Sequence, residues 1–382
     1  MKPQTKQTKI CARCITPEIY PGIKLDKNGI CSHCHTYEKR FKDWKDKKTT
    51  FSSQLREKRQ SHSKYTAIVG ISGGKDSSYL LHVLVKIHGM KNILAATNDN
   101  GFLADNAKKN IDRMIDKLGI DHIYYGPDPD LTKRLYQALI KKKCSDWCLF
   151  CMAGSISGLI DLAIKKNIKN IVMGISPKTE PIFPFEMINA FDFKYLKDVV
   201  QPYVKASELR PFRHITLLRA AYATFIRRIR FINLPEYIDW DNEKIVNILT
   251  KEYGWIDYGR GKPHFDCLLN PAVDYFMKQR LGVNKVVENL SVLVRAGHLT
   301  REAALKRLSE QDSDEKPTQS LEQICKKITV TLDDLKPYID GTALNYRYFK
   351  SNVQILRKLS WVFWISCKLG FTTRILYEKY SK

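Results

Sequence analysis

Seven consecutive residues, Ser72-Gly73-Gly74-Lys75-Asp76-Ser77-Ser78, combine the groups that hold a polyphosphate. Two glycines let backbone N–H groups approach an anion closely, three hydroxyls donate to its oxygens, and Lys75 adds charge. A helix starting within the run would add unpaired N–H donors and the positive end of its dipole. The spacing is not Gly-x4-Gly-Lys-Ser/Thr, so this is not a Walker A loop. A plain Ser/Gly-rich turn is the bland alternative. It is disfavoured because an apolar strand at 65–71 precedes the run and a helical pattern at 77–88 follows it.

A second chemistry is written in cysteine. Cys11-Ala12-Arg13-Cys14 and Cys31-Ser32-His33-Cys34 are two Cys-x-x-Cys pairs sixteen residues apart. Each pair places two thiolates on one side of a tight turn, and together they close a tetrahedral site suited to structural zinc. Unpaired reduced thiols or a redox dithiol account less well for two matching pairs. His33 and His35 then fall outside the ligand set. Asn28-Gly29 marks a turn between the pairs, making the unit a small ribbon.

Cys144, Cys148 and Cys151 form a third cluster, with three readings open: a metal or iron–sulfur site needing one more ligand, sulfur chemistry, or small apolar core residues. Cys267 is a further thiol whose spacing does not tie it to the cluster.

The elements that must position these groups alternate between strand and helix. Strand 92–97 leads through Asn98-Asp99-Asn100-Gly101 to an amphipathic helix at 103–118, capped by Gly119, and then to strand 122–125. Helices at 131–142 and 155–166 precede strand 170–175. This pattern predicts a doubly wound parallel sheet with ligands beyond the carboxyl ends of its strands. Asp99 and Gly174 would then stand beside the nucleotide, although Asp99 is equally well explained as a turn residue. Residues 177–211, rich in proline and aromatics, read as an irregular lid or crossover. The basic, apolar stretch 213–234 reads as a helix packed on the core, with a membrane or acidic-partner surface as the alternative.

The expected organisation is a zinc ribbon at 1–40, a charged helix or linker at 41–64, an α/β domain carrying the phosphate loop at 65–205, and a mostly helical substrate domain at 206–308. A joint at 309–320 and a helical extension at 321–382 follow. The extension contains Trp361 and Trp364 and suits a docking helix pair or a membrane- or partner-binding patch.

In 382 residues, 64 Lys and Arg against 40 Asp and Glu leave a formal charge of +24, which favours anionic partners without choosing among them. No basic segment followed by an apolar run opens the sequence, and the ten cysteines cluster as ligands or reactive thiols. Both observations lead us to expect a cytoplasmic protein, with contact at the inner membrane face through 321–382 left open.

The order strand, Ser-Gly-Gly-Lys-Asp-Ser, helix resembles the PP-loop of the ATP pyrophosphatase superfamily. Later in the chain come Asp239-Trp240-Asp241, Tyr253-Gly254-Trp255-Ile256-Asp257-Tyr258-Gly259, Lys262-Pro263-His264-Phe265-Asp266 and the segment 291–304, which ends His298-Leu299-Thr300-Arg301-Glu302-Ala303-Ala304. With the knuckle and the loop, this sequence resembles over residues 10–310 the N-acetyl sugar amidotransferases of lipopolysaccharide, O-antigen and flagellar-glycan biosynthesis. The resemblance implies adenylation of an acetamido oxygen by ATP with Mg²⁺, then displacement of AMP by ammonia to give an acetamidino sugar.

On that reading Ser72, Gly73, Gly74, Ser77 and Ser78 hold the β,γ-phosphates, Lys75 contributes charge, and Asp76 braces the loop or contacts metal. His264, Asp266, Arg260 and Lys262 are candidates for sugar binding or acid–base work, and Arg295 for facing an anionic substrate. The sequence departs from the family pattern at Asp266, where the family carries Glu, and by an extra Arg-Gly. Thr300 also reads on its own as a helix N-cap, with Glu302 in the first turn. The chain shows neither glutaminase signature, so the resemblance implies a separate glutaminase subunit delivering ammonia. The rival is a PP-loop tRNA thiolation enzyme using Cys144, Cys148 and Cys151. Against it stand the late motifs and the lack of a recognisable RNA-binding module.

Overall fold

The computed structural model describes residues 8–41, 63–175, 180–181, 183–238, 240–257, 266–283, 285–311, 315–342, 344–369 and 374–380. The expected linker at 41–64 lies almost wholly outside these residues. So do Arg260, Lys262 and His264.

The knuckle comes first and is closed by helix α1 (Ser32–Phe41). Gly29 has φ +72° and donates to Asp26 O, forming the expected turn between the two cysteine pairs.

Five strands follow: β1 (Ala67–Gly70), β2 (Ile93–Asn98), β3 (Asp121–Tyr125), β4 (Asn170–Met173) and β5 (Arg230–Asn233), all parallel, in the order β3-β2-β1-β4-β5. The doubly wound parallel sheet is therefore borne out. Central β1 is covered on both faces, which is why it reads as an uninterrupted apolar run. Ala67 stands opposite Ile93 on one side and Asn170 on the other. The chain winds from β1 toward β2 and β3, then returns past β1 to β4 and β5. The crevice of such a sheet opens at that reversal, beyond the carboxyl ends of β1 and β4.

Helix α2 (Lys75–His82) leaves the end of β1 and runs on into a π turn at Val83–Ile87. Helix α3 (Asp105–Leu118) buries Ala107, Ile111, Met114 and Leu118 along one stripe and ends on Gly119 at φ +61°. Asp128 caps α4 (Pro129–Lys141) by accepting from the amides of Asp130 and Leu131. Helix α5 (Leu149–Lys165) begins six residues before its expected start. It shows no polar N-cap side chain by which the boundary might have been found.

Val69, Leu81, Ile111, Trp240 and Trp255 share the core on one side of the sheet, and Ile68, Leu94, Leu159 and Ile160 share that on the other. Each such side chain stabilises the fold by about 1.5–3 kcal/mol relative to exposure.

The stretch 213–234 is not the single packed helix expected. After α6 (Phe193–Val200) come a 3-10 segment at Ala206–Ile215, the short α7 (Leu217–Ala221) and a π turn at Tyr222–Ile226. The stretch then ends as β5, the edge strand, so the sheet extends beyond residue 205. Leu218 is 86% exposed and Ile226 70%, because the run is too short and irregular to keep a single face on the core.

Helix α8 (Asn242–Tyr253) packs against α2. The helical body consists of α9 (Asn270–Leu281), α10 (Lys285–Arg295), α11 (Arg301–Gln311), α12 (Thr318–Ile328), α13 (Leu332–Ile339), α14 (Val353–Lys358), α15 (Ser360–Lys368) and α16 (Arg374–Tyr380). Helix α11 runs into the expected joint at 309–320. The extension is docked through α13: Trp147 donates to the Tyr338 hydroxyl at 2.7 Å, and Tyr338 donates to Cys144 O at 3.0 Å. Trp361 and Trp364 stay largely exposed, and no described helix is long and apolar enough to cross a membrane.

Candidate active site

The phosphate loop is held open by its own backbone. Gly73 has φ +80°, and a Cβ there would lie 2.3 Å from Ala107 O, so no other residue fits. Its carbonyl accepts from Trp255 Nε1 at 3.0 Å. Ser72 N donates to Ser77 Oγ at 3.1 Å, and Ser77 Oγ donates to Gly74 O at 3.1 Å, closing the turn. Gly74 is the N-cap of α2 and brings no capping side chain, so the amides of the first helical turn are left for an external anion.

Lys75 Nζ lies 2.6 Å from Asp76 Oδ2, while Trp240 Nε1 donates to Asp76 Oδ1 at 2.6 Å. Asp76 is thus a brace as the structure stands. Gly174, at the end of β4, passes so close that a Cβ would sit 2.9 Å from Asp76 O.

A cleft of ≈ 850 Å³ opens over this loop, in the size range of small-molecule sites. Ser72, Gly74, Lys75, Asp76, Ser77 and Gly174 line it from the sheet side, whereas Gly73, named with them, does not. Ser78 does not; its hydroxyl is fully buried and has no partner, which corrects its assignment to the phosphates. Asp99 is also outside the lining. Its carboxylate accepts from Gly101 N at 2.9 Å, which makes it the turn residue. Its neighbours Asn98 and Asn100, in the stretch 98–101 expected beside the nucleotide, line the cleft instead. Asn98 Nδ2 donates to Cys151 O and Ser155 Oγ, and Asn100 Nδ2 is buried without a partner.

The opposite wall comes from the helical body and includes Asp266, Asn289 and Arg307. Asp266 is tied down by Ala104 N donating to its carbonyl at 3.0 Å, and its carboxylate reaches over Gly74.

The four knuckle cysteines are buried, with Cys11 Sγ 3.9 Å from Cys34 Sγ and Cys14 Sγ 3.7 Å from Cys31 Sγ. All four sulfurs lie within 4.8 Å of one another, and among the described residues no other group of His, Cys, Asp and Glu converges so tightly. Four closely set thiols fit a closed, tetrahedral metal site of the kind zinc takes. His33 and His35 are outside it and bond Glu288 and Asp26.

Arg295 does not face a substrate. Its side chain is 3% exposed, pairs with Glu288 at 2.7 Å and donates to Thr16 Oγ1 at 2.8 Å, pinning α10 to the knuckle. Thr300 does cap α11, accepting from Ala303 N, and Arg301 donates to the carbonyls of Cys11 and Cys14.

The cluster Cys144, Cys148 and Cys151 separates. Cys144 is fully buried, with its sulfur 3.0 Å from the Tyr195 hydroxyl, so it is not a ligand alongside the other two. Cys151 lines the cleft, and so does Cys267.

Residues 257–361, which supply the far wall, match the family model described as LPS biosynthesis protein WbpG-like, C-terminal domain. That segment is WbpG-like. The match bears out, over these residues, the resemblance to lipopolysaccharide biosynthesis proteins. A comparison with curated proteins gives no match. Among solved structures, the chain is similar to the U34-tRNA thiolase NcsA from Methanococcus maripaludis with its 4Fe-4S cluster, at 15% identity and TM-score 0.35 over 90% of this chain and 99% of that one. It is also similar to NMN synthetase from Francisella tularensis, at 12% identity and TM-score 0.31 over 82% of this chain and 98% of that one. A third is the NH3-dependent NAD synthetase from Campylobacter jejuni, at 14% identity and TM-score 0.28 over 58% of this chain and 99% of that one. With scores this low, the fold rests on the sheet itself and its strand order.

Proposed function

We infer that this protein is an ATP-dependent enzyme of lipopolysaccharide or related glycan biosynthesis, an amidotransferase acting on an N-acetylated sugar. One observation carries the reading: a single cleft is lined both by the phosphate loop and by the WbpG-like segment. A nucleotide tail and a sugar acetamido group would meet there.

The amide carbonyl of an acetamido group is a poor electrophile. Transfer of AMP from ATP onto its oxygen, with release of pyrophosphate, converts that oxygen into a leaving group. Ammonia adds to the carbon, AMP departs with the oxygen, and an acetamidino group remains. Ser72, Ser77 and the amides at the start of α2 would hold the β,γ-phosphates, with Lys75 balancing charge. The carboxylates of Asp76 and Asp266, both at the loop, are suited to hold Mg²⁺, which would offset charge on the departing pyrophosphate. His264, Arg260 and Lys262 remain our candidates for gripping the sugar. Ammonia would come from a separate glutaminase subunit, and exposed Trp361 and Trp364 would favour a peripheral membrane contact.

The test is to incubate the protein with ATP, Mg²⁺, ammonium and a panel of N-acetylated sugar nucleotides and nonulosonic acids. Mass spectrometry should find oxygen replaced by NH in one of them, with stoichiometric AMP. AMP release without a modified sugar would remove the amidotransferase reading.

A second reading, tRNA thiolation, is favoured by Cys151 and Cys267 in the cleft and by the charge of +24. Tight, salt-sensitive tRNA binding would support it.

A further inference from the structure

The fold brings a third thiol, Cys267, toward two that the sequence already sets side by side, Cys148 and Cys151. Because α5 starts early, Cys148 is its N-cap and Cys151 lies in its first turn, on the same side of the helix. Cys267 is carried to them across more than a hundred residues. Leu103 and Cys267 form an antiparallel bridge, flanked by Ala104 N donating to Asp266 O and Leu268 N donating to Phe102 O. Cys151 is fixed from the same strand end, since its carbonyl accepts from Asn98. Cys151 and Cys267 then line the cleft of the phosphate loop, and Cys148, three residues before Cys151, is half-buried.

The surroundings are unlike those of inert core thiols. Lys285 is buried, donates to Asn270 Oδ1 at 2.6 Å and stands 3.7 Å from the Asp274 carboxylate. Asn100, 6% exposed, keeps an unpartnered Nδ2 in the same cleft, as does Asn289.

A single tetrahedral ion is not the occupant that fits. Zinc draws four sulfurs to about 3.8 Å of one another, from Zn–S bonds of about 2.3 Å. Only the knuckle approaches that among the described residues. An iron–sulfur cluster spreads its thiolate ligands over separate irons, so they stand further apart.

We propose that Cys148, Cys151 and Cys267 hold an iron–sulfur cluster whose remaining iron opens onto the cleft beside the phosphate loop. The site shares its cleft with the nucleotide site proposed above, but its occupancy is read without turnover, so the two readings fail separately.

The experiment is anaerobic purification of the full chain, followed by assay of iron, acid-labile sulfide and zinc and by EPR of the reduced protein. About four irons and four sulfides per chain are expected beside about one zinc. Cys148→Ser, Cys151→Ser and Cys267→Ser should each lower iron at least fivefold and abolish the EPR signal, with zinc retained as the mark of a folded chain. Cys144→Ala should keep its iron. Absence of iron after reconstitution with iron and sulfide would overturn the proposal. So would full iron in Cys267→Ser, or iron that leaves only with Cys11→Ser.

Discussion

Glu288 and Arg295 form a buried ion pair, 2.7 Å apart on one helix, and the same carboxylate accepts from Thr16 and meets His33 of the knuckle at 3.0 Å. Breaking one side leaves a charge stranded. Arg295→Met should therefore destabilise the chain by about 3–5 kcal/mol, measured by urea unfolding. Metal held by the knuckle should also exchange faster to a chelator. A loss below 1 kcal/mol would mean that the pair contributes nothing to holding the knuckle.

The same pair sets an acid limb. Burial alone would raise the Glu288 carboxyl, but Arg295 and His33 outweigh it and hold it down to about 2 from 4.5. A depressed carboxyl contributes stability that is fully present above its unfolded value and is lost as pH falls through the folded one. Between pH ~4.5 and ~2 the chain should lose about 3 kcal/mol from this group. In Glu288→Gln that component should vanish from the pH dependence of the unfolding midpoint.

Gly73→Ala places a Cβ against the backbone of α3 at a position with φ +80°. ATP affinity by calorimetry should fall at least tenfold, with the far-ultraviolet dichroism of the sheet retained. Gly119→Ala, also at positive φ but with nothing near its Cβ, should lose about 1 kcal/mol of stability and none of the affinity.

Trp240→Phe removes the donor to Asp76 and leaves the ring. Lost hydrogen bonds of this kind cost about 1–2 kcal/mol, so AMP formation should drop about tenfold with a much smaller change in ATP affinity. Asp266→Asn, on the opposite wall, should likewise spare ATP binding but cut AMP formation more deeply. If ATP binding collapsed with it, Asp266 would be a nucleotide anchor instead.

The knuckle and the phosphate loop were legible because their geometry is local: four sulfurs at fixed spacing, and two glycines between a strand and a helix. Asp76 was named, but its partner Trp240 is 164 residues away, and no periodicity joins them. Asn98 and Asn100 flank the residue that was picked, Asp99. Alternation along a strand end, not residue type, decided which of the three would face the cleft. Arg295 misled because an arginine near a substrate-domain motif reads as an anion ligand, whereas the fold buries it against Glu288. Cys144 was grouped with its neighbours by spacing, but α5 begins after Cys148 and leaves Cys144 on the preceding turn, in the core.

The short clasp between 102–104 and 266–268 decides when the reaction chamber can first exist. During synthesis the sheet is complete once residue 233 has emerged, yet the pocket would lack a wall until the strip around Cys267 arrives. A nascent chain halted before that strip would carry the phosphate loop in a half-built cleft, open to water on the side that Asp266 and Cys267 later close.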